Sequence, residues 1–422
     1  MRRSLLCSLV TVALAGCPNI NNRPEPDAGA EEEPPVEACG TFEIPAAQID
    51  SALPWPSLKC ADFPGLCSLQ VEKTVAEPDT ARAVDIVFVG DGFTEAKLPE
   101  YRELVASFTK ALTGPAGGFV ARRPRLFNFY RVDVVSESTH VGNADRADSA
   151  LAGCVDIANT GNLVMDERLA GLAATANVPP GTTIDVIVVV MRTNAGSPNA
   201  SAGPVPEHPA FVRINPLVSE ATVNHEFGHA LFHLGDEYAL EPACYTPPDL
   251  PAFMTEDYLF DLPNVSSEET GKKWASIYQG AVAGGLGYRY CLYHPGPACL
   301  MNEGALPFCA ICSHAIDRTL DAWEGKNDGA PRCGLELSLL PTYVHGNVTL
   351  GVSVFDRNPP THYSLAVDGT KTGSGDVAAW QQRVPGTLDS TKLGNGVHTA
   401  TVDCRDALGA TSHASVEFKV QN

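Results

Sequence analysis

The stretch HEFGHALFHLGDEY, residues 225–238, places histidines at 225, 229 and 233, a glutamate beside the first, and Asp-Glu-Tyr after a glycine. On an α-helix at about 100° per residue, His225, His229 and His233 fall within about 80° of one another. Phe227, Ala230, Leu231 and Leu234 fall on the opposite side and read as a core-facing stripe. Two imidazoles one turn apart converge on one ion, and zinc takes histidine nitrogens at about 2.0–2.1 Å. Glu226 lies about 100° round from His225, beside the ion rather than on it. A general base must stand there to take a proton from a zinc-activated water, which is the mechanics of the H-E-x-x-H signature.

A catalytic zinc takes a third protein ligand and leaves one position open. His233, eight residues from His225, would lie about 12 Å along a straight helix and is too distant. Gly235 marks the expected helix end. The turn beyond it can bring back Asp236 or Glu237, of which Asp236 is the preferred ligand. Tyr238 is then placed to donate a hydrogen bond to the oxyanion or to the fold.

The surrounding chain bounds what such a site can serve. Its 422 residues exceed one compact core, and 44% hydrophobic with 19% charged residues is an ordinary globular balance. A formal charge of −21 repels phosphates and anionic lipid, so nucleic acid is not an expected partner. Residues 1–16 read as an export signal: Arg2 and Arg3, a short apolar stretch, then small residues. Leu14-Ala15-Gly16-Cys17 resembles the lipobox of bacterial lipoproteins, which implies a lipid on Cys17 as the membrane attachment. Residues 17–38 are proline-rich, with six acidic residues and one arginine between Pro18 and Glu37, and suit an extended tether. The expected location is the cell envelope, lipid-anchored, or secreted.

Of thirteen cysteines, Cys7 and Cys17 belong to the signal and lipid site. The other eleven are expected in disulfides, with at least one left over. The Cys309-Ala-Ile-Cys312 spacing also suits a redox or structural zinc pair, as the lesser reading.

Apolar β-branched runs at 83–90 and 183–191 predict buried strands, with another at 126–135. Helical patterns run over 98–112 and 163–176, so strands alternate with helices in an α/β (α+β) body. Residues 192–207 read as a surface loop. Asp91 ends the first strand, where it can cap a turn or, less simply, hold a cation or substrate. From about 334 to 422, short alternating segments at 335–340, 348–355, 362–367, 398–402 and 414–420 predict a β-sandwich without helix patterns. Cys333 and Cys404 can clip its first strand to a late one.

The motif His-Glu-Phe-Gly-His followed by Leu-Gly-Asp-Glu-Tyr resembles the bacterial zinc endopeptidase family named after an immunoglobulin A protease. Residues 84–93, 127–134, 299–302 and 308–312 support the resemblance, which covers roughly 80–325. It implies a metzincin-like peptidase domain at 39–330 (core 80–325), zinc held by His225, His229 and Asp236, Glu226 as base, Tyr238 as helper, and protein or peptide substrates. Met301 resembles the methionine turn under the metal, although a core-filling methionine is as simple. The third ligand departs from the metzincin spacing, since the sixth residue after the second histidine is Gly235. The stretch 393–409 resembles the end of bacterial immunoglobulin-like modules. The rival reading is a non-catalytic surface protein with a structural or vestigial zinc and a working β-sandwich. Glu226 argues against it, because a structural site needs no adjacent base.

Overall fold

The computed structural model describes residues 39, 41–51, 55–75, 83–114, 118–141, 148–157, 161–201, 209–244, 262–266, 269–275, 277–296, 298–302, 307–323, 332–337, 347–355, 360–377, 381–407 and 409–421. The expected signal, Cys17 and tether, and the expected boundary near residue 330, lie outside these residues.

The continuous apolar runs become central strands of a six-stranded sheet. Its strands are β1 (Val71–Val75), β2 (Val84–Asp91), β3 (Phe127–Val132), β6 (Ile184–Met191), β7 (Asn199–Ser201) and β8 (Ala210–Ile214), in the order β1-β3-β2-β6-β8-β7. The four inner strands are parallel, and β1 and β7 pair antiparallel at the edges. A small hairpin, β4 (Cys154–Val155) with β5 (Leu163–Val164), lies between β3 and β6 in sequence.

Strand side chains alternate between faces, so a sheet covered on both sides needs apolar residues at nearly every position. Ile86 and Phe88 point into one core with helix α1 (Leu98–Thr113), helix α3 (Glu220–Phe232) and helix α4 (Ala310–Trp323). Val87 and Val89 point into a second core with helix α2 (Glu167–Thr175) and the segment around Ile44, Leu58 and Leu66. Disulfides Cys39–Cys154 and Cys60–Cys67 hold that segment.

Three local expectations need correction. The helix expected from 163 starts at Glu167, because Asp166 accepts the Arg168 and Leu169 amides as N-cap and Leu163–Val164 pairs in the hairpin. The loop expected over 192–207 contains β7, whose small polar residues carry no strand pattern and pair only through one edge. The helix of the opening motif ends at Phe232, and its left-handed cap is His233 (φ 51°), not Gly235. Gly235 answers to space instead: a Cβ there would stand 2.8 Å from Val265 and 2.9 Å from Leu262.

Beyond Asp236 a three-stranded sheet forms from β9 (Ala239–Cys244), β10 (Val282–Gly285) and β11 (Gly287–His294). The C-terminal strands make two further sheets: β12 (Arg332–Leu337), β13 (Asn347–Phe355) and β16 (Gln381–Asp389), and β14 (Thr361–Val367), β15 (Thr370–Val377), β17 (Gly396–Arg405) and β18 (Thr411–Val420). They share a core of their own, including Val352, Val354, Leu365, Val402 and Phe418, and Cys333 is bonded to Cys404. No described helix is long and apolar enough to cross a membrane.

Candidate metal centre

Helix α3 follows β8 after a short connection, and its start is fixed by Ser219, whose hydroxyl accepts the Thr222 amide. From Val223 to Gly228 every residue is buried, so the helix carries its histidines into the body rather than along a solvated face. One side packs on β7, β8 and α1 through Val223, Phe227 and Leu231.

The turn after His233 brings Asp236 back over the helix. His225 Nε2 and Asp236 Oδ1 are 3.0 Å apart, His229 Nε2 and Asp236 Oδ1 3.2 Å, and the two Nε2 atoms 3.1 Å. A tetrahedral ion with bonds of about 2.0–2.1 Å needs ligand–ligand edges of about 3.3–3.4 Å, so slight relaxation of this triangle admits zinc. The opposite ring nitrogens support the same state. His225 Nδ1 donates to the Leu300 carbonyl (3.2 Å) and His229 Nδ1 to the Leu234 carbonyl (2.6 Å). A carbonyl only accepts, so each Nδ1 carries the proton and each Nε2 is free to present a lone pair. Two such lone pairs and a carboxylate oxygen at this spacing repel unless a cation, or an added proton, lies among them.

Titration follows the same electrostatics. Burial alone would push the His229 imidazole down, but Asp236 outweighs it and raises it to about 9. Burial pushes Asp236 up, and the two histidines overcome this to hold its carboxyl far below the ordinary range. A metal would therefore compete with protons for the same three atoms.

Glu226 is 2% exposed. Burial raises its carboxyl above the ordinary range, against the pull of His225 and His229, while Asp236 adds to the rise. Arg213 on β8, itself buried, contributes a further opposing charge and is tied to Glu167 and Asn199. Tyr238 lies beside the triangle, its ring stacked along His225 at 6.4 Å between centroids. His233 is not in the triangle, and burial pushes its imidazole down to about 4.

The floor of the site comes from distant sequence. Met301 is fully buried against α3 at Gly228, where a Cβ would stand 2.9 Å from its sulfur. The adjacent carbonyls point at the site: Leu300 to His225, and Met301 to the Glu237 amide (2.8 Å). Asn264, fully buried, brackets Asp236 by pairing with both the N–H and the C=O of Gly235 and donating to Glu237 Oε1 (2.8, 2.8 and 2.9 Å). Sequence reasoning missed Arg213, Asn264 and the Glu237 side chain's surroundings. A lone arginine or asparagine carries no spacing signal, and these meet the motif only by folding.

Asp91, the other buried acid singled out by sequence, binds protein donors. Its carboxylate accepts from Gly92, Leu151 and Gly153 amides and from the Ser136 and Ser149 hydroxyls. It fastens the loops after β2.

A family model described as IgA Peptidase M64 matches residues 71–279. No curated protein matches the chain. Among solved structures, OgpA from Akkermansia muciniphila is similar at 13% identity over 82% of this chain and 95% of that one, with a TM-score of 0.27. The PKD1 domain of Vibrio anguillarum Epp is similar at 15% identity over 22% of this chain and 94% of that one, with a TM-score of 0.17. The PKD domain of an M14-like peptidase from a Thermoplasmatales archaeon gives 13%, 22%, 94% and 0.17. Superpositions this loose establish neither fold nor activity.

Proposed function

Through residues 71–279 the chain belongs to the IgA peptidase M64 family, and from that premise we propose that it is a zinc-dependent endopeptidase of metzincin-like design, exported and held to the membrane by a lipid on Cys17. The carrying observation is the triangle of His225 Nε2, His229 Nε2 and Asp236 Oδ1 with a buried glutamate beside it. A zinc ion in that triangle would supply Lewis-acid polarisation of water and of the scissile carbonyl.

The chain's own residues do the rest. Glu226 takes the proton from the attacking water and returns it to the leaving amine. Its buried setting suits this, because a carboxyl raised above its usual range is a stronger base. Tyr238, stacked on His225, stands where it can donate to the oxygen of the carbonyl under attack. Leu300 and Leu234 carbonyls fix the imidazole tautomers throughout. Proteins or peptides are the substrates. The strands from 332 to 420 form an immunoglobulin-like sandwich that adds no chemistry to the peptidase domain of 39–330.

The test is cleavage of an unfolded protein by the full chain. Activity should vanish with a chelator, return with zinc and be absent from Glu226→Gln. Chelator-resistant cleavage, or none from a zinc-loaded wild-type chain, overturns the reading. Release of Cys17→Ser from the membrane fraction tests the anchor, and unchanged attachment refutes it.

A further inference from the structure

Three cysteines remain free among the described residues: Cys299, Cys309 and Cys312. The sequence favoured disulfides for them, and the structure corrects this, since they meet around a carboxylate instead. Cys299 and Cys312 sulfurs are 3.6 Å apart, and the Glu237 Oε1 atom is 3.2 Å from Cys312 Sγ and 3.8 Å from Cys309 Sγ. The four ligand atoms all lie within 4.8 Å of one another. We propose that Glu237, Cys299, Cys309 and Cys312 bind a second zinc ion, structural rather than catalytic, beneath the first site. This second site rests on the peptidase reading only in that Glu237 adjoins Asp236.

Geometry carries the proposal first. Zinc bonds to sulfur at about 2.3 Å and to carboxylate oxygen at about 2.0 Å, so tetrahedral S–S and S–O edges are about 3.8 and 3.5 Å. The two S–O spacings, 3.2 and 3.8 Å, lie on either side of the second value, and the 3.6 Å S–S spacing falls just short of the first. Four protein ligands also close the coordination sphere, as structural zinc sites do.

The buried carboxylate carries it second. Glu237 is 1% exposed, and its Oε2 has no hydrogen-bond partner among the described residues. His294 Nδ1 lies 3.3 Å from Oε2 without the alignment of a hydrogen bond and likewise has no hydrogen-bond partner among the described residues. A carboxylate in this setting is expensive unless a cation compensates it.

The cradle around the sulfurs carries it third. Cys309 and Cys312 flank the first turn of α4, where backbone amides point outward. The Cys309 amide donates to Cys299 Sγ (3.2 Å) and the Cys312 amide to Cys309 Sγ (3.5 Å). Amide donors aimed at sulfur stabilise thiolate, the form that ligates zinc. Binding replaces three S–H bonds by three Zn–S bonds and releases three protons. The centre then carries a net charge of minus two, which the amide donors, Asn264 and His294 are placed to offset.

Such an ion would join three segments far apart in sequence: the residue after Asp236, the loop bearing Leu300 and Met301, and helix α4. It acts on the catalytic triangle by positioning Asp236 and the Leu300 carbonyl.

The experiment is metal analysis of the full chain, purified without added metal. Wild type should hold two zinc ions, and His225→Ala/His229→Ala should hold one. X-ray absorption of that double variant should show a sulfur-rich zinc shell near 2.3 Å, and cobalt replacing the zinc should give a sulfur-to-metal charge-transfer band. Cys309→Ser/Cys312→Ser should lose one ion, but the spectra decide even if it fails to fold. One ion in wild type, lost wholly from the double histidine variant, overturns this proposal and leaves the peptidase reading standing. One ion that survives there with sulfur ligands does the reverse. A disulfide among these cysteines in unreduced, zinc-loaded wild type also overturns it.

Discussion

Two neighbourhoods of the molecule bury carboxylates equally well and treat them differently. At the end of β2, Asp91 is fully buried and takes hydrogen bonds from three amides and two hydroxyls. Around α3, Glu226 is 2% exposed and is faced by charges, and Glu237 is 1% exposed with one oxygen that accepts no hydrogen bond among the described residues. A fully satisfied carboxylate is a fastening. Buried acids with acceptor capacity to spare mark places where a proton or a cation belongs.

The largest effect that could break this contrast is at Glu226. Glu226→Gln keeps the volume and removes the base, so peptide cleavage should fall about 10²–10⁴-fold with zinc content unchanged. A variant that cleaves normally would reduce Glu226 to a buried acid of the Asp91 kind.

Next comes the third corner of the triangle. Asp236→Ala should weaken zinc binding by more than the roughly 10–100-fold that loss of a supporting residue costs, whereas His233→Ala should leave it unchanged. Competition titration with a chromogenic chelator ranks the two, and the reverse ranking would move the site along the chain.

Asp91→Ala should act on stability instead. It strands the Leu151 amide and the Ser136 and Ser149 hydroxyls, while the Gly92 and Gly153 amides keep those serine oxygens as acceptors, a loss of about 2–4 kcal/mol by the usual cost of breaking buried hydrogen-bond networks. Urea unfolding measures it. The folded fraction should still bind zinc and cleave, and selective loss of activity without loss of stability would place Asp91 in the chemistry.

The smallest effect is a pH dependence of the zinc-free chain. The His229 imidazole sits at about 9 against an ordinary 6.5, because Asp236 outweighs burial. A raised histidine contributes stability that is complete below about 6.5 and lost as pH rises through about 9. Melting temperatures of chelated protein should therefore decline over that window, and the decline should shrink in His229→Gln and in the zinc-loaded chain, whose imidazoles are already neutral. A flat profile without zinc would show that the triangle is not protonated when empty of metal.

What sequence could see was periodic or contiguous. His225, Glu226 and His229 lie on one helical turn and a bit, and the apolar runs of β2 and β6 are buried on both faces, so a short window suffices. The His225–Asp236 approach was within reach because the turn between them is short. Edge strands β1 and β7 were not seen, nor β15 and β16, since polar strands show no alternation. Of the cysteine cluster, the Cys309–Cys312 pair was legible as the lesser zinc reading, but its meeting with Glu237 was not, because Glu237 and Cys312 are 75 residues apart and spacing of that kind says nothing about contact. His233 escaped as a helix cap because glycine, two residues on, is the usual occupant of a left-handed position.

The Leu300 carbonyl, which fixes the His225 tautomer, lies 75 residues beyond the histidine it serves. Synthesis runs from the N-terminus at about 5–20 residues per second, so the His225–Asp236 stretch emerges several seconds before its floor. A nascent chain ending short of Leu300 holds both histidines, Asp236 and Glu226, yet has nothing to aim His225 and no Met301 under α3. If the proposed chemistry holds, competence to cut would be deferred until the segment bearing Leu300 and Met301 has been made, and the order of the chain itself would spare the unfinished protein from it.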